Sequence, residues 1–195
     1  MDARKNRLLE LLLVHAFQYR EDPPFLLASG RSSPYYVDCK PVTLHPEGMH
    51  LIGGLGYEAL RDTGVTAVGG LTLGADPIAN AIAMHSFHRS RQLKSFVVRK
   101  EAKDHGTGRW LEGAVSPGER VAVIEDVATT GGSARTAIAR IRAAGLVVEH
   151  ALVLVDREEG GCEAIAADGV EVHVLVRRSE LMALRAAAER HARDG

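Results

Sequence analysis

Cysteine is almost missing from this chain of 195 residues: Cys39 and Cys162 stand alone, with no CxxC pair. That speaks against a disulfide framework or a thiolate metal cage, and it predicts a reduced, cytosolic protein. Aromatic residues make up only 5%, and the formal net charge is -1. Near-neutrality argues against a general nucleic-acid binder and leaves room only for a local basic patch. Long apolar runs are missing too. The leucine-rich stretch Leu8 to Val14 follows charges at Asp2, Arg4, Lys5 and Arg7, as the core of a signal peptide would. It breaks at His15 without a convincing small-residue cleavage site, so it reads as an amphipathic first helix. Nothing approaches a membrane span.

What the chain does have is a hydrophobic content of 46%, enough for one α/β domain over residues 1–195 with a full core. Its first 45 or so residues are less regular and predict a small hood. Arg4 to Tyr19 reads as helix, and Pro23, Pro24 and Gly30 punctuate an extended region through Tyr35, Tyr36 and Val37. Pro46 to Thr63 is a second helix stopped by Gly64. Val65 to Gly70 is a strand, and Pro77 opens a helix to about His88 with Asp76 as its N-cap. Further strands are expected over Ser95 to Arg99, Arg120 to Glu125, Glu149 to Val155 and Glu171 to Val176, before a closing helix from Ser179 to Ala192. Apolar, non-alternating strands interleaved with helices predict an α/β fold with a mostly parallel twisted sheet covered on both faces. Ligands then gather at the strand C-termini.

The run from Val121 to Ser133 (VAVIEDVATTGGS) carries the strongest chemistry. A buried strand ends in the carboxylates Glu125 and Asp126, and Thr129, Thr130, Gly131, Gly132 and Ser133 lead into a helix. Backbone N–H groups and hydroxyls there suit a phosphate, and the glycines permit a tight turn. The carboxylates can only accept hydrogen bonds, which suits the hydroxyls of a sugar. A Walker A loop would need Lys before Ser133, where Gly132 stands, and a dinucleotide fingerprint would need three spaced glycines. The ligand implied carries a phosphate and a vicinal diol. A bare capped turn would need fewer such groups.

This segment resembles the PRPP-binding motif of the type I phosphoribosyltransferases, where PRPP is 5-phosphoribosyl 1-diphosphate. The resemblance assigns Glu125 and Asp126 to the ribose hydroxyls, and the loop Val127, Ala128, Thr129, Thr130, Gly131, Gly132 and Ser133 to the 5'-phosphate. A second run, Arg99 to Gly108, packs Arg99, Lys100, Lys103 and His105 beside two glycines. Charge of this kind on a surface loop is usually just solvated, but a departing diphosphate calls for mobile cations and a lid. The run resembles the catalytic loop of the orotate phosphoribosyltransferase family, in which the residues matching these four contact PRPP and part of the loop reaches into the neighbouring subunit of a homodimer.

Three further stretches extend the resemblance. In Val155 to Gly161, Arg157 matches the base-binding Arg of that family, and Thr129 matches its other base contact; a guanidinium fork suits a ring bearing a carboxylate and imide oxygens. Tyr35 and Tyr36 match paired aromatics that flank orotate, although two aromatics in an extended segment serve equally well as hood core. Ala28 departs from the pattern, since many members have Lys there. Gly69 to Pro77 resembles the pyrophosphate loop, with backbone N–H groups and Thr72 as candidates.

The resemblance implies a cytoplasmic homodimer that transfers phosphoribosyl from PRPP to orotate in pyrimidine biosynthesis, with Mg²⁺ carried mainly by PRPP and with no membrane or nucleic-acid partner. Phosphoribosyl transfer to another base, and a non-catalytic RNA-binding sensor of PRPP, are the competing readings.

Overall fold

The computed structural model describes residues 2–26, 32–101 and 110–194. Helix α1 (Ala3–His15) starts where the Asp2 side chain accepts the Arg4 N–H, and it buries Leu8, Leu9, Leu11 and Leu12. It ends four residues earlier than the sequence suggests. Phe17 and Tyr19 alternate inward on strand β1 (Phe17–Tyr19), a period of two that fits an extended chain. After the two-residue strands β2 (Phe25–Leu26) and β3 (Ser32–Ser33), which pair with each other, β4 (Tyr35–Val37) pairs antiparallel with β1. A single helical turn, α2 (Lys40–Thr43), leads into α3 (Pro46–Leu60).

The rest is strand and helix in alternation: β5 (Ala67–Leu71), α4 (Ala75–Ser86), β6 (Lys94–Val98), β7 (Leu111–Glu112), β8 (Arg120–Ala128), α5 (Gly132–Ala143), β9 (Val147–Asp156), α6 (Gly161–Ala166), β10 (Glu171–Arg177) and α7 (Arg178–Asp194). One six-stranded sheet runs in the order β10-β9-β8-β5-β6-β7. Its pairs are parallel except for β7, which lies antiparallel to β6 at one edge. Burial explains the apolar run in β8. Ala122 and Ile124 face one core with α1, α3 and α4, whereas Val121 and Val123 face the other with α5.

Two differences from the sequence expectations shape the site. Strand β8 runs to Ala128, because Glu125, Val127 and Ala128 pair with Val153, Val155 and Asp156 of β9. The acidic pair therefore lies within the ladder instead of at its end. Helix α4 begins at Ala75 with Gly74 at the cap position, so Asp76 sits inside the first turn and is not the cap. Gly74 permits a close approach: a Cβ there would lie 2.5 Å from the Asp126 carboxyl, which would have to shift.

The strand order contains a switch point. From β5 the chain moves outward to β6 on one side, and from β8 outward to β9 and β10 on the other. The helices that follow these two central strands, α4 and α5, cover opposite faces. Their N-terminal loops diverge above β5 and β8 and leave a crevice at the strand C-termini, the general ligand position of such sheets.

Candidate active site

The crevice is built around the acidic pair. Glu125 and Asp126 each approach a helix start while their carboxyls stay within hydrogen-bond reach of one another. The Ala134 N–H of α5 donates to the Glu125 carboxyl, and the Asp126 carboxyl lies against Gly74 before α4. Burial above all, reinforced by the charge of Asp126, pushes the Glu125 carboxyl up to about 8. Asp126 Oδ1 accepts its neighbour's Val127 N–H at 2.9 Å. Behind Asp126 the Cys39 thiol is fully buried and held well above its ordinary value by burial and by the charges of Asp126 and Asp38, which leaves it unreactive.

The turn after β8 completes an anion cradle. Gly131 has a φ of 76°, and a Cβ there would lie 2.7 Å from the Gly161 carbonyl oxygen, so both conformation and space call for glycine. Gly131 at the N-cap position of α5 has no side chain to cap it, so apart from the Ala134 N–H held by Glu125 the first-turn N–H groups are left for a ligand. A cavity of about 350 Å³ opens here, bounded by Thr129 to Ser133, Glu125, Asp126 and Val127, with Tyr36, Asp38, Lys40 and Arg157 on its other walls. Ala128 does not border it: its side chain is buried in the core and its carbonyl accepts the Arg157 N–H at 3.0 Å. A second cavity of about 230 Å³ adjoins across Glu125, Asp126, Ser133 and Lys40, and is closed by Leu71 to Gly74 and Lys100. Thr72 therefore stands where a leaving group could sit.

Arg157 follows β9 and is only 4% exposed. One of its terminal nitrogens lies 2.9 Å from Glu159 and donates to Ser33 Oγ at 3.2 Å, while Nε is buried with no hydrogen-bond partner among the described residues. An orphaned buried donor costs about 1–3 kcal/mol, so an acceptor arriving in the cavity would relieve it. Tyr35 is engaged elsewhere. Its ring lies 5.1 Å from the Arg157 guanidinium and 5.0 Å from that of Arg178, which also donates to the Tyr35 hydroxyl. Of the two tyrosines, Tyr36 borders the cavity, tilted against Phe25 at 5.8 Å.

No protein-family model matches the chain. Relatives do. The orotate phosphoribosyltransferase of Aquifex aeolicus (strain VF5) is 48% identical over 178 residues, spanning 91% of this chain and 97% of the relative. The chain belongs to the orotate phosphoribosyltransferase family. Among solved structures, the Mycobacterium tuberculosis H37Rv orotate phosphoribosyltransferase aligns at a TM-score of 0.79 and 40% identity, over 91% of this chain and 98% of that one. A structure of the same enzyme in complex with PRPP gives 0.76 and 37%, over 91% and 98%.

For an orotate phosphoribosyltransferase the loop between β6 and β7 is the expected lid. Lys103 and His105 lie outside the described residues, as does Ala28. Lys100 borders the second cavity. The Arg99 guanidinium lies 3.6 Å from Glu112, and its Nε donates to the Glu101 carbonyl. Sequence reasoning does not single out Lys40, yet it borders both cavities and pairs with Asp38 at 2.9 Å. The available signal is a lone Lys directly after the tyrosine pair and Asp38. What sequence cannot supply is its position opposite an acidic pair some eighty-five residues away.

Proposed function

We propose that this chain transfers the 5-phosphoribosyl group of PRPP to N1 of orotate, giving orotidine 5'-monophosphate and diphosphate in de novo pyrimidine synthesis. One observation carries the reading: two adjoining cavities share Glu125 and Asp126 at the switch point, with an anion cradle in one and buried Arg157 on the wall. In this reading Val127 to Ser133 hold the 5'-phosphate and Glu125 and Asp126 the ribose hydroxyls. Glu125, protonated up to about 8, can donate one hydrogen bond and accept another. Thr129 and Arg157 orient orotate, and Tyr36 supplies the aromatic face. Tyr35 acts through Arg157, which it helps to hold. Thr72 and the first-turn N–H groups of α4 take the diphosphate.

Bond breaking at C1' precedes attack, so the sugar passes through an oxocarbenium-like state and needs no protein nucleophile. The protein holds reactants in line, and Arg99, Lys100, Lys103 and His105 stabilise charge on the departing diphosphate. The acidic oxygens that face the two cavities suit a hard divalent ion better than a soft one. Mg²⁺ would be carried mainly by PRPP, with Asp126 and Glu125 as the protein groups beside it, and would neutralise diphosphate charge. We further infer a cytoplasmic homodimer whose lid cations serve the neighbouring subunit, in which the whole chain acts as one domain and about its first 45 residues form the hood.

The test is loss of orotate absorbance on adding PRPP and Mg²⁺ to the folded protein, run beside a panel of purine and pyrimidine bases. Turnover of orotate alone is expected. No turnover of any base would overturn the reading, and preference for a purine would reassign the substrate.

A further inference from the structure

A second constellation lies at the opposite end of the sheet. His150 is the fourth residue of β9, about 20 Å along the strand from its C-terminal end, while Glu171 opens the edge strand β10 and His173 follows two residues later. The parallel register sets Glu171 beside His150 and His173 beside Leu152. Alternation puts Glu171 and His173 on one face, and His150 joins them there. His173 Nε2 lies 3.2 Å from His150 Nδ1, His150 Nδ1 lies 3.5 Å from Glu171 Oε2, and His173 Nε2 lies 3.9 Å from Glu171 Oε1. The two imidazoles are mostly buried, with side chains 13% and 20% exposed.

Hydrogen bonding accounts poorly for this arrangement. One shared proton can join the two rings, but the carboxylate stands off from both by more than a good hydrogen bond allows. It stands within ion-pair distance of both rings on a side chain that is mostly exposed. A tetrahedral zinc ion with ligand distances of about 2.0–2.1 Å sets neighbouring donor atoms about 3.3 Å apart; the two ring nitrogens stand close to that spacing at 3.2 Å, and with one donor atom from each residue all three lie within 4.8 Å of one another, so a small shift of the exposed Glu171 side chain completes the set. Two imidazoles and one carboxylate suit zinc or a similar first-row ion, whereas magnesium and calcium favour all-oxygen sites.

We propose that His150, Glu171 and His173 bind a zinc-class divalent ion that staples edge strand β10 to β9, remote from the crevice. Three protein ligands leave a fourth position for water or a ligand from outside. The ion's effect falls on the sheet edge, because no crevice residue is among the three.

The experiment uses untagged, chelator-stripped full-length protein titrated calorimetrically with Zn²⁺, and with Co²⁺ followed by visible absorption as a report of tetrahedral geometry. One equivalent should bind the parent chain and raise its Tm. His150→Gln with His173→Gln should weaken that equivalent by about a hundredfold or more, since even loss of a supporting hydrogen bond costs ten- to a hundredfold. Glu171→Gln alters a side chain that is two-thirds exposed, so it tests one ligand without touching the core. It should weaken binding while leaving the Tm of the metal-free protein unchanged. No binding by the parent chain, or equal binding by both variants, would overturn the proposal.

Discussion

At the scale of single residues, Glu125 has the most consequential environment. Burial holds its carboxyl protonated up to about 8, against an ordinary value of 4.5. Between those values the folded chain binds a proton that the unfolded chain has released, so ligand-free stability falls as pH rises through that window. Glu125→Gln removes the titration. Above about pH 8 the variant should be the more stable by on the order of a few kcal/mol, and its Tm should show a smaller loss across the window; parallel curves for the two proteins would refute the assignment. Such an effect was not legible in the sequence. The acids and hydroxyls of the motif were visible as residue types, and they pointed correctly to a polar pocket at a strand–helix junction. The upward push on Glu125 depends on its desolvation at this position of the fold. Tyr35 and Tyr36 are adjacent and chemically equal in the sequence, and only the fold puts Tyr35 between two arginines and Tyr36 at the cavity.

At the scale of elements, α5 links the cavity after β8 to Arg99 and Trp110. Its first turn bounds the cavity, while Arg140, two turns on, donates to the Arg99 carbonyl at 2.5 Å and lies 4.0 Å over the Trp110 ring. The Arg99 N–H also donates to the Trp110 carbonyl at 2.9 Å. Arg99 and Trp110 are therefore fixed to one another and to the same helix. Arg140→Ala should lower kcat by roughly ten- to a hundredfold through misplacement of the lid cations, with a smaller change in KM for orotate. Steady-state kinetics decide this, and an unchanged kcat would show that the clamp is structural only. The long periodic elements were readable to within a few residues, because their apolar faces repeat. Elements α2, α6 and β1 to β4 are too short to show a period, and β8 outran its expected end because pairing with β9, not apolarity, sustains its last residues.

At the scale of the whole molecule, the parallel sheet gathers four separate sequence stretches at one edge. The proposed homodimer, with its lid shared between subunits, would add a requirement that no single chain meets. Lys103→Ala should reduce turnover by about 10²–10³ with little effect on orotate binding. Mixed with an Asp126→Asn variant, it should recover activity, since some dimers then combine one intact lid with one intact diol site; no recovery would mean that each subunit uses its own lid. The sequence by itself determined the alternation of strands and helices, the parallel covered sheet and the phosphate-and-diol chemistry, because each is written in neighbouring residues: apolar runs, glycines at turns, acids beside hydroxyls. Only the tertiary structure decided where the crevice opens, that Lys40 and Gly74 face Asp126, that burial pushes the Glu125 carboxyl up, and that two histidines and a glutamate converge at the far edge. Those facts depend on strand order and register, which bring together residues that no local pattern connects.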